Sequence, residues 1–312
     1  MSLNPFAADP AVAARLSRTG VEARAAIAAE ALAAAARHPQ AVPANMGGVV
    51  PADVVAALVT GFDLDGPRDL MRLLVDPARD LARPPISNFF VGAVGLERET
   101  GHLILGGNVE FPGTHLGLTV HGEGFVATRA FSRGTTLAAI AIGEAHPCAH
   151  CRQYLSEFQA NRELDLIDPI GHTLTLAQLY PWPFDPGYLG ERGAEPGVMF
   201  PELAADAPED LIASGRRAHA PYSRCPGAVA LHMMDGQTIT GASIESVAFN
   251  PTMQPMMAAV INLIAHGYAY DDIRAVTLGT VSRGAVDYEA TTRELAGRLA
   301  PQAWITVVDW RA

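Results

Sequence analysis

The sequence predicts an α/β protein: a three-layer α/β/α core occurring twice in tandem, the second copy stripped of the first copy's reactive side chains, behind a helical N-terminal segment. Three observations carry this. From Phe89 to Phe158, apolar strand-like runs and helical patterns follow the order of a sheet covered by helices. That order returns in the second half at a nearly constant distance. The front of the chain is Ala-rich, with Leu16, Val21, Ile27 and Leu32 at roughly helical spacing.

The front segment, residues 1–64, carries no reactive cluster. Its first helical pattern runs from Ala11 to Arg37, is open to a break at Gly20, and ends at Pro39 and Pro43. Pro51 to Leu58 and Pro67 to Leu81 read as further short helices. The first core is expected over 65–183. Its strands are Phe89-Phe90-Val91-Gly92-Ala93-Val94-Gly95-Leu96 and Leu103-Ile104-Leu105-Gly106, joined as a hairpin. A helix from His121 to about Phe131, a strand from Leu137 to Ile142 and a helix from Cys148 to Phe158 complete it. The Pro-rich stretch Pro181-Trp182-Pro183-Phe184-Asp185-Pro186 reads as an extended linker.

The second core is expected within 184–312. Gly92 returns as Gly227 and Asn108-Val109-Glu110 as Ser243-Ile244-Glu245, both 135 residues on, while Gly143 returns as Gly279, 136 residues on. Generic strand similarity explains one such match but not three at a shared offset. Carried through the helices, the offset sets His121 against Met256, Glu123 against Ala258, Cys148 against Gly284 and Cys151 against Asp287. The second copy is therefore expected to be non-catalytic, with one metal per chain.

Composition narrows the function. The 312 residues carry a formal net charge of −11 and no Lys/Arg run, which argues against a nucleic-acid track that must displace counterions. Three cysteines, two of them close together, do not make a disulfide framework and suit metal binding in a reducing compartment; Cys225 reads as a small buried residue. No apolar stretch approaches the ~20 residues that span a bilayer, and Asp9, Arg15, Arg18, Glu22 and Arg24 interrupt the N-terminus. A cytoplasmic protein without membrane or nucleic-acid partners is expected.

The chemistry concentrates in His121-Gly122-Glu123 and Pro147-Cys148-Ala149-His150-Cys151. Cys148 and Cys151, three apart in the first turn of a helix, present both sulfurs on one face, where free N–H groups and the helix dipole favour thiolates. With His121 they supply three Zn²⁺ ligands and leave a fourth tetrahedral position for water, the mark of a catalytic site. Zinc lowers the pKa of such a water to about 7. Glu123, two residues from His121, is placed to move protons between water, a ring nitrogen and a departing amine. A Cys-x-x-Cys pair is also commonly half of a structural zinc finger, and a His-x-Glu alone means little. Here no second Cys pair exists to close a four-thiolate site, and His150, inside the motif, points more easily to solvent.

His-x-Glu followed by Pro-Cys-x-x-Cys is the signature of zinc nucleobase deaminases, and the chain resembles the cytidine deaminases, specifically the long homodimeric bacterial type. The resemblance lies in Ile86-Ser87-Asn88-Phe89, Val91-Gly92-Ala93, Gly107-Asn108-Val109-Glu110-Phe111, Thr119-Val120-His121-Gly122-Glu123 and Pro147-Cys148-Ala149-His150-Cys151-Arg152-Gln153. In the second half it continues in Pro221-Tyr222-Ser223 and Ala248-Phe249-Asn250-Pro251-Thr252. It implies zinc on His121, Cys148 and Cys151, Glu123 as proton carrier, and Asn108 and Glu110 on the sugar hydroxyls. It also implies Phe89 beside the base, the Gly122 carbonyl toward the amino group, and Phe184 across a homodimer interface. The implied reaction is hydrolytic deamination of cytidine and 2′-deoxycytidine in pyrimidine salvage. Gly122, Gly124 and Phe125 depart from the family pattern and loosen a helix start by ~1 kcal/mol per glycine. Two other readings stay open: a deaminase of a different amino-heterocycle, and a non-catalytic zinc-stabilised nucleoside-binding protein.

Overall fold

The computed structural model describes residues 7–35, 46–144, 146–199, 203 and 206–310. Helices α1 (Pro10–Leu16) and α2 (Val21–Ala34) form the front segment, and Gly20 separates them as the N-cap of α2. The expected stop at Pro39 and Pro43 lies outside the described residues. Strand β1 (Val49–Val50) follows, then α3 (Ala52–Gly61) and α4 (Pro67–Ala78). Asp9 caps α1, its carboxylate accepting from the amides of Ala11 and Val12.

The first core contains β2 (Gly92–Glu97), β3 (Leu103–Gly107), α5 (Gly122–Arg133), β4 (Leu137–Ile142), α6 (Ala149–Ser156), β5 (Asp165–Ile167), β6 (Thr173–Thr175) and the short α7 (Leu176–Leu179). Its sheet runs β1-β3-β2-β4-β5-β6, antiparallel except between β4 and β5. Glycines show how closely the two covering layers approach. A Cβ on Gly92 would collide with the Val75 carbonyl of α4, whereas one on Gly95, an odd number of residues on and so on the opposite face, would meet Val126 of α5. Helices thus cover both faces. Phe89 and Phe90, expected inside the first strand, precede β2 and are half exposed.

The second core contains α8 (Glu209–Arg216), β7 (Ala228–Met233), β8 (Thr238–Ala242), α9 (Pro255–Ala265), β9 (Ile273–Thr280), α10 (Glu289–Leu299) and β10 (Trp304–Asp309). Its order β10-β9-β7-β8 reproduces the central β5-β4-β2-β3 of the first sheet, with the same directions. The copy extends to irregularities. Register slips between Leu96 and Glu97 in one sheet and between His232 and Met233 in the other. Asn88 and Arg224 both adopt left-handed φ, at 54° and 57°.

The structure corrects the pairing read from sequence twice: the ladders set Ala228, not Gly227, opposite Gly92, and the helices do not keep the strand offset. His121 caps α5 and Gln254 caps α9; Cys148 caps α6 and Tyr288 caps α10. His121 therefore stands opposite Gln254, Glu123 opposite Met256, Cys148 opposite Tyr288 and Cys151 opposite Thr291. The loop before α9 is shorter than its counterpart and the one before α10 longer, so an offset taken from strands fails past them. None of the three metal donors is retained under either pairing.

The halves share one apolar cluster running from Ile27 through Phe125 to Leu299, and α5 packs on α9. At that contact the fully buried Arg129 guanidinium donates to Asn262 Oδ1 at 2.9 Å and to the Gly47 carbonyl at 2.8 Å.

Candidate metal centre and active site

The candidate centre forms where the N-termini of α5 and α6 converge, because His121 and Cys148 are the residues that cap those helices. His121 Nδ1 lies 3.6 Å from Cys148 Sγ and 3.4 Å from Cys151 Sγ, and the two sulfurs are 3.7 Å apart. A zinc tetrahedron with usual bond lengths needs about 3.5 Å between nitrogen and sulfur and about 3.8 Å between sulfurs. The donors fit zinc in both chemistry and spacing. Among the described residues they are the one His/Cys/Asp/Glu group close enough to hold a metal. His150 is exposed and outside that group, as its position in the motif implied.

The local electrostatics favour charge at this point. Hydrogen bonding from Cys151, then His121, holds the Cys148 thiol down at about 3. The buried Cys151 keeps its proton, pushed up by the Cys148 sulfur and by burial. Hydrogen bonding to Cys148 raises the His121 imidazole. Glu123 lies in the first turn of α5 and is almost wholly buried, which pushes its carboxyl above the ordinary carboxylate range. A carboxyl that holds a proton more readily than usual is suited to accept and return one.

Gly122 fits its surroundings closely. A Cβ there would stand 2.8 Å from the Cβ of Ala93 on β2, so glycine lets α5 sit close to the sheet at this point. Gly124 has ordinary room, its nearest neighbours being Val120 and Met253. Phe125 is core: it is fully buried against Gly106 of β3, so its departure from a polar residue leaves the reactive side chains untouched.

Glu110 lies beyond the end of β3 in a cradle. Its Oε2 accepts from the amides of Ile86 and Ser87, both at 2.9 Å, and its Oε1 accepts from Ser87 Oγ at 2.6 Å. Burial alone would raise this carboxyl, but the Ser87 hydroxyl and the two amides outweigh it and hold it below the usual range. One lone pair of Oε1 stays open to a further donor. The Asn108 amide ties the preceding turn together, accepting from the Val91 amide and donating to the Phe89 carbonyl, both at 2.9 Å. The Phe89 ring itself is exposed.

Phe184 is held by its backbone. Gln153 of α6 donates to the Phe184 carbonyl at 2.8 Å and accepts from its amide at 3.2 Å, while the ring stacks on Tyr188 with centroids 5.5 Å apart. This ties the Pro-rich stretch to the metal-site helix and leaves the ring half exposed. Arg152 donates to the Pro147 carbonyl at 2.6 Å and so fixes the entry to α6.

Two contributions were not read from sequence. A cavity of about 180 Å³ beside His121 and Cys151 is walled by Asn250, Pro251, Thr252 and Met253, so the second half shapes the surroundings of the metal site. Glu157, the C-cap of α6, is fully buried and accepts from His219 Nε2, Tyr222 Oη and the Val247 amide, all three in the second half. A lone glutamate after a helix carries no sequence signal for such a contact. The Tyr222 match was its only pointer.

The zinc-binding region of cytidine and deoxycytidylate deaminases matches residues 67–164 and again residues 201–293. Cytidine deaminase 6 of Arabidopsis thaliana is 35% identical over 266 residues, covering 76% of this chain and 90% of that protein. Cytidine deaminase of Shewanella baltica strain OS155 is 32% identical over 254 residues, covering 80% and 85%. That of Shewanella frigidimarina is 33% identical over 258 residues, covering 81% and 86%. No described helix is long and apolar enough to cross a membrane.

Proposed function

We propose that this chain, which belongs to the cytidine and deoxycytidylate deaminase family, hydrolyses the free nucleosides cytidine and 2′-deoxycytidine to the uracil nucleosides and ammonia. The observation that carries the proposal is the convergence of His121, Cys148 and Cys151 at zinc spacing, with the buried Glu123 in the first turn of the same helix. Relatives named cytidine deaminase, matched along most of their length, support the choice of substrate.

His121, Cys148 and Cys151 would hold the zinc, and bound zinc makes a water acidic enough to attack near neutral pH. Glu123 takes the proton from the attacking water as oxygen bonds to the ring carbon that bears the amino group, and passes it to the adjacent ring nitrogen. It then carries the proton of the newly added hydroxyl to the amine as the carbon–nitrogen bond breaks, the oxygen becomes the carbonyl and ammonia leaves. Glu110 Oε1 accepts from a sugar hydroxyl, and Asn108 completes the sugar site. The Gly122 carbonyl faces the amino group, and Phe89 packs beside the base. Phe184 belongs to a homodimer interface, and the enzyme serves pyrimidine salvage in the cytoplasm.

The test is the ultraviolet change as purified protein converts cytidine to uridine, before and after chelation. Conversion that is lost with the metal and restored by zinc supports the proposal. A folded, zinc-loaded protein that leaves cytidine and deoxycytidine unchanged overturns it.

A further inference from the structure

The second half keeps a cavity of about 390 Å³ in which polar side chains, among them Tyr222, Ser223, Glu245, Gln254 and Tyr288, share the wall with apolar ones such as Phe249. It occupies the position that the active site occupies in the first half, because Gln254 stands opposite His121 and Tyr288 opposite Cys148. Loss of the metal donors would leave such a pocket free to fill with apolar side chains. It has not filled.

What survives is the carboxylate cradle. Glu245 Oε2 accepts from the amides of Tyr222 and Ser223 at 3.0 and 3.1 Å, and its Oε1 accepts from the Ser223 hydroxyl. Glu110 makes the same three bonds with Ile86 and Ser87. The next link is shared too: Ser87 Oγ accepts from the Phe89 amide and Ser223 Oγ from the Cys225 amide, each at 3.0 Å. Ser243, in the place of Asn108, accepts from the Gly227 amide at 3.1 Å as Asn108 accepts from Val91. The Glu245 carboxylate is thus held as Glu110 is, with Tyr288 beside it.

A second, independent feature points to a ligand. Tyr288 is 2% exposed, lines this cavity, and its hydroxyl lies beside Glu245 and Ser243, the two residues that stand in the places of Glu110 and Asn108. Among the described residues the lining holds two phenols, an amide, two aliphatic hydroxyls and two carboxylates, beside the apolar Phe249, Ala285 and Val286, and neither Lys nor Arg. Such a lining suits a neutral ligand with hydroxyl donors and carbonyl acceptors, and it repels phosphate.

We propose that the second-half cavity is a nucleoside-binding site that does not turn its ligand over. Glu245 holds a sugar hydroxyl, while Tyr288 and Gln254 meet the polar edge of the base. The inference rests on the sugar-binding role proposed for Glu110, since the two cradles are argued to act alike.

Uridine is the probe, because the first site does not consume it. Equilibrium dialysis of the zinc-loaded full chain is expected to give two uridine equivalents per chain. Ala285 lies exposed on the rim, so Ala285→Trp blocks the cavity without touching the core; it should leave one equivalent and unchanged cytidine turnover. Tyr288→Phe removes only the hydroxyl beside Glu245 and should weaken the second equivalent about tenfold. One equivalent in the unmodified protein, unaltered by A285W, overturns the proposal, as does second-site binding of uridine 5′-phosphate as tight as that of uridine. Two equivalents with no cytidine turnover support the second site and count against the deaminase reading alone.

Discussion

Replacing Glu157 by Leu should uncouple the metal-site helix from the second half of the chain. The carboxylate is fully buried and accepts three hydrogen bonds: from His219 Nε2 at 2.8 Å, Tyr222 Oη at 2.7 Å and the Val247 amide at 2.7 Å. Leucine has similar bulk and no acceptor, so all three donors lose the partner they have in the native chain. A buried donor without a partner costs about 1–3 kcal/mol, and removing one member of a buried charged network costs about 3–5 kcal/mol once water and neighbours relax. The expectation is therefore a loss of about 4 kcal/mol in urea unfolding, seen as a lower midpoint at unchanged slope. Because Glu157 caps α6, whose first turn carries Cys148 and Cys151, turnover should also fall, by about tenfold to a hundredfold, through misplacement of that turn. A double-mutant cycle sharpens the test. Tyr222→Phe should cost about 1–2 kcal/mol in the native background and close to nothing beside Glu157→Leu, since its acceptor is already gone. Equal costs in both backgrounds, or a loss below about 1 kcal/mol for Glu157→Leu, would refute the reasoning.

Three further outcomes follow from the same structure. Glu123→Gln should keep one zinc per chain by metal analysis and lose about 10²–10⁴-fold in cytidine turnover, the usual contribution of a positioned proton carrier; activity within a few-fold of the original would exclude that role. Acid should weaken the fold through Glu97. Burial pushes this carboxyl up from its ordinary 4.5, but hydrogen bonds from Arg133, Thr100 and Thr135 outweigh burial and hold it lower. A lowered carboxyl stabilises the fold fully above its unfolded value and loses that contribution as pH falls through the folded one. Glu97→Gln should accordingly flatten the dependence of Tm on pH below about 5, and an unchanged slope would sink the assignment. Chelation of zinc should lower Tm as well as activity, because three donors at two helix N-termini then repel or compete for protons instead of binding a cation. Calorimetry showing the same Tm with and without metal would argue that the centre contributes nothing to folding.

Much of the fold was legible because its signals are local. The strand Leu137–Ile142 was read to the residue, since six apolar positions stand between turn-forming neighbours. The helix at His121 was placed within two residues of its true end, where Gly134 closes it with φ of 79°. The three candidate metal donors came from the His-x-Glu and Pro-Cys-x-x-Cys signature, in which three-residue separation within one helical turn fixes both sulfurs on one face. What stayed hidden depends on loops and on distance. The repeat was found through strands, but Gly92 was matched one residue short because the β7–β8 turn lost a residue, and the helix pairing was misjudged because the loops entering α9 and α10 changed length without disturbing the sheet. Glu157 and Ser87 gained their meaning only from partners that folding brings together.

The contrast between the two cradles bears on how the second half has changed. Glu110 and Glu245 each hold three donors from a turn whose next residue is left-handed, Asn88 in one copy and Arg224 in the other. The Glu245 cradle is therefore a folding element as well as a candidate binding group, because it satisfies amides that would otherwise be buried without partners. That alone would explain why it persists, and it predicts nothing about the rest of the cavity. The Tyr288 hydroxyl is different, since it belongs to no backbone turn and stands beside Glu245 and Ser243 at the wall of the cavity. Tyr288→Phe consequently separates the two explanations with one atom: if the cavity is only a relic, the change should leave uridine binding as it was, and if the cavity binds a nucleoside, the second equivalent should weaken.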